Sequence, residues 1–287
     1  MSFEITTAFV QQYKDNVALL SQQKGSVLRD SVRLEDNVKG KKAFFDQIGA
    51  TTPQKRTTRH GDTPLISTPH SRRMVTLYDY DWADLIDNLD KIKMLIDPQS
   101  SYAQNAAYAM GRAMDDEIIA AALATAYTGE AGATSTVLPS AQKIANASSG
   151  LTIAKLRSAR KILRQGEVDK DIPLYCAVSA EELDDLLGTT QVTSSDYNTI
   201  KALVQGDVDT YMGFKFKNTE RLSEASSVRS CFAWAEDGIL LGLGQDAEGK
   251  IDARADKNYS TQVYYSMCIG ATRMEEVKVV QIDCYHA

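Results

Sequence analysis

The stretch from Pro98 to Thr128 constrains this chain more than any other. No helix breaker interrupts it except Gly111, and ten of its residues are alanine. At 1.5 Å per residue, about thirty residues make a rod of roughly 45 Å, far longer than the average globular helix of about twelve residues. Asp97-Pro98 reads as its start, a capping carboxylate followed by proline in the first turn. Arg112 is spaced to pair with Asp116 one turn on. So many small side chains let other elements approach closely. The prediction is a spine on which the rest of the fold is hung.

Three unlike segments precede it. Phe9, Val10, Tyr13, Val17 and Leu20 recur at helical steps until Gly25, one apolar stripe that docks either on its own chain or on another subunit. Residues 51–73 carry three prolines and many threonines and have no helical period. Thr57-Thr58 and Leu65-Ile66 suggest short extended arms around a His60-Gly61-Asp62 turn. Lys55, Arg56, Arg59, Arg72 and Arg73 against Asp62 give +5 and −1, hence +4. A polar hairpin with only Leu65 and Ile66 as large aliphatics projects and is steadied by a partner. In residues 79–97, Asp79, Asp81, Asp84, Asp87, Asp90 and Asp97 against Lys91 and Lys93 give −6 and +2, hence −4. Leu85, Ile86, Leu89, Ile92 and Ile96 predict an amphipathic helix with an acidic outer face. The basic hairpin can meet that helix on its own chain or on a neighbour, and the sequence does not choose.

Beyond a small-residue link, Gly129 to Ser149, the pattern becomes α/β. Thr152 opens a helix closed by Gly166, with Ile153, Leu156, Ala159, Ile162 and Leu163 inward. A strand is expected over 173–178, and Ser179 with Glu182 forms a capping box for a helix ending at Gly188. Further strands are expected at 211–216, 231–234, 238–243, 262–269 and 276–284.

Chemistry is scarce. The net charge is −6 over 287 residues, which argues against a nucleic-acid coat. The first ten residues lack a signal-peptide pattern, and the longest apolar run is about half a membrane span; a soluble, cytoplasmically made chain is expected. Cys176, Cys231, Cys268 and Cys284 are separated by 55, 37 and 16 residues, so no short loop offers two thiolates to zinc. They read as small buried hydrophobes. His60, His70 and His286 share no ligand spacing. Gly244 to Lys250 has the glycine and lysine spacing of a phosphate-binding loop, but Ile251 replaces the required Ser or Thr, and Asp246 and Glu248 add the wrong charge. It reads as a solvent-facing loop. The row Lys155, Arg157, Arg160, Lys161 and Arg164 lacks interleaved aromatics and reads as a solvated face. The pairs Asp115-Asp116, Glu181-Glu182 and Asp184-Asp185 read as solvated or salt-bridged helix faces. No catalytic residue, metal ligand or cofactor site is assigned.

The order of arm, projecting hairpin, spine, α/β region and returning strands resembles the major capsid proteins of tailed bacteriophages, with their Hong Kong 97-like fold. The matching stretches are Phe9-Val-Gln-Gln-Tyr-Lys, Gln23-Lys-Gly-Ser26 with Arg29, Arg59-His60, Asp62-Thr63-Pro64 and His70-Ser-Arg-Arg73. They continue through Ala83-Asp-Leu-Ile-Asp87 with Asp90, Asp97-Pro98, and Gly111-Arg112 with Asp115-Asp116. The resemblance implies an α+β capsid fold: an N-terminal arm over 1–45, an extended β-hairpin loop over 46–78, and a peripheral domain with the spine over 79–144. An axial α/β domain over 145–254 and return strands of the peripheral domain over 255–287 complete it.

The implied function is structural, without catalysis or cofactor: self-assembly of hexamers and pentamers into an icosahedral head enclosing double-stranded DNA without sequence-specific binding. Implied partners are a portal, a separate scaffolding protein and cement proteins; no membrane partner is implied. The implied location is the virion, after synthesis in the host cytoplasm. Lysine–asparagine crosslinking occurs in some members of the fold, but no partner for Lys55 is identifiable, so that chemistry is not carried over. The candidate inter-subunit contacts are Lys55, Arg56, Arg59, Arg72 and Arg73 on one side and Asp81, Asp84, Asp87 and Asp90 on the other. The alternatives are an encapsulin-type compartment shell and an α/β enzyme with a lid-like hairpin.

Overall fold

The structure is a computed structural model that describes residues 21–59, 61–87, 99–188 and 210–286. The expected helix over residues 9–20, the Asp97-Pro98 cap, Asp90 and His60 lie outside the described residues.

The spine is helix α1, Gln99–Leu123, 25 residues or about 37 Å long. Ala106, Met110, Met114, Ile118 and Ala122 repeat every fourth residue and are all buried. They form a stripe over a four-stranded sheet. That sheet runs in the order β1 (Arg33–Glu35), β13 (Ile239–Arg254), β14 (Ser260–Arg273), β4 (Tyr78–Ile86), antiparallel except for the β1–β13 pair. A second four-stranded antiparallel sheet joins β2 (Lys42–Ile48), β3 (His70–Thr76), β5 (Ala126–Thr128) and β6 (Thr134–Thr136).

The third sheet, of seven strands, runs β7 (Lys143–Ile144), β15 (Val279–Tyr285), β12 (Val228–Ala235), β8 (Leu174–Val178), β10 (Phe214–Asn218), β9 (Thr210–Tyr211), with β11 (Glu224–Ala225) pairing β12. Every residue of β8 is buried, as is Cys231 to Ala235, so the sheet centre is covered on both faces. Helix α2 (Ile153–Gln165) starts at Thr152, whose hydroxyl accepts from the Lys155 amide, and ends at Gly166. It buries Leu156, Ala159 and Leu163. Helix α3 (Ala180–Gly188) follows β8 directly, and the Glu182 carboxylate accepts from the Ser179 amide at 2.9 Å, half of the expected capping box. Trp234 stacks on Tyr175 with ring centroids 5.7 Å apart and donates its indole N–H to Ser31 O at 2.8 Å.

Four expectations change. Residues 78–86 form a strand, not the start of a helix. Tyr80, Trp82, Asp84 and Ile86 alternate with the exposed Asp79, Asp81, Ala83 and Leu85, a period of two that pairs the segment with β14. Leu89, Ile92 and Ile96, on which the expected helix rested, fall outside the described residues. The spine stops at Leu123, because residues 126–128 pair with β3. The strands of the projecting hairpin are its base, β2 and β3, paired from Lys42↔Thr76 to Ile48↔His70, while Thr57-Thr58 and Leu65-Ile66 have no regular structure. The returning strands divide: β14 pairs with β13 and β4, but β15 enters the seven-stranded sheet.

The early end of the spine has a physical cause. Arg273, fully buried, donates from Nη1 to Ala122 O and Ala124 O, both at 2.9 Å, and from Nη2 to Thr136 O at 3.0 Å. It satisfies carbonyls that the last helical turn leaves open. Replacing Arg273 by methionine fills the space but orphans those acceptors, with an expected cost of about 3 kcal/mol. Urea unfolding of the unassembled subunit measures it.

Candidate assembly surface

The projecting segment is bare. The described residues of 49–69 have no regular structure apart from one bend and turn, and all of them are exposed. The segment closes at its base through the Gly49 amide to Pro69 O at 2.9 Å. Lys55 and Arg59 make no ion pair among the described residues, and Arg56 donates to Thr58 O at 3.0 Å. Leu65 is 97% exposed. Twenty-one residues held only at their ends cannot order themselves by burial. They need a surface elsewhere.

The remaining basic candidates differ from the expectation. Arg72 sits across β2 from Asp46 and pairs with it through Nε at 2.5 Å and Nη2 at 3.3 Å; the guanidinium holds the exposed Asp46 carboxyl below its usual range. Arg73 is buried. Its Nε donates to Met274 O at 2.7 Å and its Nη2 to both oxygens of Glu276 at 2.6 Å. Arg73 therefore ties the hairpin base to the end of β14 and is withdrawn as a surface contact.

The acidic candidates lie on a sheet instead of a helix. On the outward face of β4–β14–β13, Asp81 aligns with Ser266 and Glu248, and Leu85 aligns with Gln262 and Asp252. Asp79, Asp81, Glu248 and Asp252 against Lys250 give −4 and +1, hence −3 for this exposed face. Tyr264 donates to Asp81 at 2.6 Å, and that carboxylate raises the phenol pKa. Asp84 is half-buried and accepts from the Leu85 amide at 2.8 Å; Asp87 follows the strand, half-buried. Glu248 and Asp252 were missed because they lie about 170 residues away and only strand register aligns them with Asp81. From Gln245 to Arg254 the other edge of β13 has no partner strand among the described residues. Natural proteins cover such an edge. Gly244 to Lys250 belongs to this strand, with register shifts near Gln245. It is not a loop, and no helix follows to aim at a phosphate.

Several motifs singled out in the sequence meet at one place, where the chain entering the fold crosses the spine. Asp115, fully buried, accepts from Ser26 Oγ at 2.5 Å, Val27 N at 3.0 Å, Leu28 N at 3.1 Å, and Gln23 Nε2. Arg112 donates to Gln22 Oε1 at 2.8 Å and Gln23 O at 3.3 Å, not to Asp116. Asp116 instead receives both ends of the Arg221 guanidinium, Nε at 2.6 Å. Arg29 pairs with Asp246 on β13 at 2.6 and 3.1 Å. Asp115 is thus the hub of a strap, not a solvated face, as Glu182 is a buried cap.

Gly111 makes the crossing possible: a Cβ there would stand 2.5 Å from Gly25 Cα and C. Replacing a helical glycine by alanine ordinarily gains about 1 kcal/mol. Here the clash with backbone outweighs that gain, overpacking costing about 1–3 kcal/mol. Gly111→Ala is expected to lower the melting temperature, read by calorimetry; a raised one would refute the close crossing.

Lys155 also departs from the solvated row. Its buried ammonium donates to the carbonyls of Asn146, Ser149, Gly150 and Asp283 at 2.7–2.9 Å. No sequence signal marks a lysine that serves as a four-way staple.

Residues 5–286 match the family model described as phage capsid protein. Among solved structures, the capsid of cyanophage P-SCSP1u has a TM-score of 0.73 at 16% identity, covering 100% of this chain and 96% of that one. The capsid of Ralstonia phage GP4 gives 0.72 at 10% identity over 97% and 96%. The capsid of a native GTA particle gives 0.71 at 10% over 99% and 98%. At these identities the likeness shows a shared fold. No curated protein sequence matches the chain.

Proposed function

Because the chain belongs to the phage capsid protein family, we propose that it is a major capsid protein, a structural subunit that associates with copies of itself into an icosahedral head shell. The observation that carries this reading is the fully exposed 49–69 segment. A projection of that length without a core of its own gains order only against another subunit. The Hong Kong 97-like arrangement gives the parts their roles. Residues 1–45 are the arm, 46–78 the extended loop, and the spine with β4, β13 and β14 the peripheral region. The seven-stranded sheet with α2 and α3 forms the axial region at the five- and six-fold positions. The shell encloses double-stranded DNA. The negative charge of the chain disfavours tight binding to the phosphate backbone and leaves the DNA free to slide. A portal and a separate scaffolding protein are the expected partners, and the virion the expected location.

Lys55, Arg56 and Arg59 meet the acidic outer face of a neighbour, with Asp81 and Glu248 at its centre. Exposed ion pairs are individually worth about 0–1 kcal/mol, but each is repeated at every subunit contact. Complementary charge sets partner and register more than affinity. Asp81→Lys with Glu248→Lys is expected to slow assembly at low salt, and charge reversal at Lys55, Arg56 and Arg59 to restore it. Light scattering against ionic strength reads this. Assembly indifferent to both salt and reversal would sink the pairing.

A further inference from the structure

Cys231 opposes Ile282, Cys284 opposes Arg229, and Cys176 opposes Ala233. That register places all three cysteines on one face of the seven-stranded sheet. Each is fully buried. Glu182, the cap of α3, reaches the same place: one oxygen of its carboxylate and the sulfurs of Cys231 and Cys284 lie within 4.8 Å of one another. The Glu182 side chain is fully buried, and its Oε1 makes no hydrogen bond. Its Oε2 is the oxygen that caps Ser179. His286 Nε2 stands 2.6 Å from that Oε1 without a hydrogen bond to it. A buried carboxylate oxygen without a hydrogen bond lacks a compensation that such groups normally have.

We propose that Cys231 Sγ, Cys284 Sγ and a carboxylate oxygen of Glu182 form a structural site for a thiophilic divalent cation of the zinc class. Two thiolates and a carboxylate are donors that such a cation takes. Cys231 and Cys284 each release a proton as the cation binds. Two thiolates and a carboxylate carry −3 and the cation +2; the nearby Lys155 ammonium, whose pKa burial lowers and Cys284 and Cys231 raise, carries +1. Contact with Cys284 and burial push the Cys231 thiol well above its ordinary range in the metal-free chain. The chain spacing hid the site because its ligands come from α3, β12 and β15.

The proposal does not depend on the shell reading, and its test uses the full chain in any assembly state. Reduced, EDTA-treated protein is titrated with cobalt(II). A single cobalt per chain is expected, with a thiolate-to-cobalt charge-transfer band and the intense visible bands of tetrahedral coordination, all displaced by zinc. Cys231→Ser and Cys284→Ser abolish the charge-transfer band or halve it; Cys268→Ser, on β14, leaves it unchanged. Should the serine variants fail to fold, metal analysis of wild-type protein purified without chelator decides, near-stoichiometric zinc supporting the site. Wild-type protein that shows no cobalt band and carries no zinc overturns it.

Discussion

Asp115→Ala is expected to destabilise the subunit by about 4 kcal/mol, among the largest effects of any single substitution. The carboxylate is fully buried and accepts from two backbone amides, a serine hydroxyl and a glutamine amide. Hydrogen bonds to a charged group are worth about 1.5–3 kcal/mol each, and leaving a buried donor unmade costs about 1–3 kcal/mol. Water reaching Gln23 and Ser26 recovers part of this sum, but the amides of Val27 and Leu28 have no substitute. Leu28 itself is fully buried against the core, so the loss spreads into packing. Asp115→Asn keeps one acceptor and is expected to cost about half as much. Urea unfolding of the unassembled subunit gives both values, and limited proteolysis at Lys24 or Arg29 reports release of the strap. An Asp115→Ala variant within about 0.5 kcal/mol of wild type would show that the strap is not held here.

Excising residues 50–68 and joining Gly49 to Pro69 through a short glycine-serine turn is expected to abolish shell formation while barely changing subunit stability. No described residue in the excised segment is buried, so folding loses almost no apolar contact. The β2–β3 pairing ends at Ile48↔His70, and Gly49 already bonds Pro69. Shortening the loop therefore reduces closure entropy by only about 1 kcal/mol or less. Assembly, by contrast, loses a projection able to reach a neighbour. Calorimetry and sedimentation separate the two readouts. A variant that melts normally and still closes into shells would remove the 49–69 segment from the assembly mechanism.

Local pattern was enough for much of this fold. Thr152 and Gly166 bound α2 as the capping rules require, and Ser179 with Glu182 marked the start of α3. The spine was legible as a run without breakers, but its end was not. Arg273, 151 residues from Ala122, and the β3–β5 pairing, between Met74 and Tyr127, stop it from far along the chain. Tyr78–Ile86 shows how two periods compete in one segment: the helical spacing began only at Leu85, while Tyr80 and Trp82 already alternated. Among the surface candidates, charge alone could not separate Arg72, half-buried beside Asp46, from Arg73, buried on Glu276. Neighbours in a strand face opposite sides, so adjacent arginines receive opposite fates. Asp115 and Lys155 read as surface charges because nothing in their immediate sequence announces the groups that hold them. Their partners come from residues 23–28 and from 146–150 with Asp283, and only the folded chain brings these together.

The central claim is self-assembly, and electron microscopy with sedimentation velocity on the purified full chain, alone and co-expressed with candidate scaffolding protein, tests it most directly. The account predicts closed shells, or rings of five and six subunits that close when scaffold is present. A well-folded chain that stays monomeric or forms a small fixed oligomer at high concentration in both preparations would contradict it.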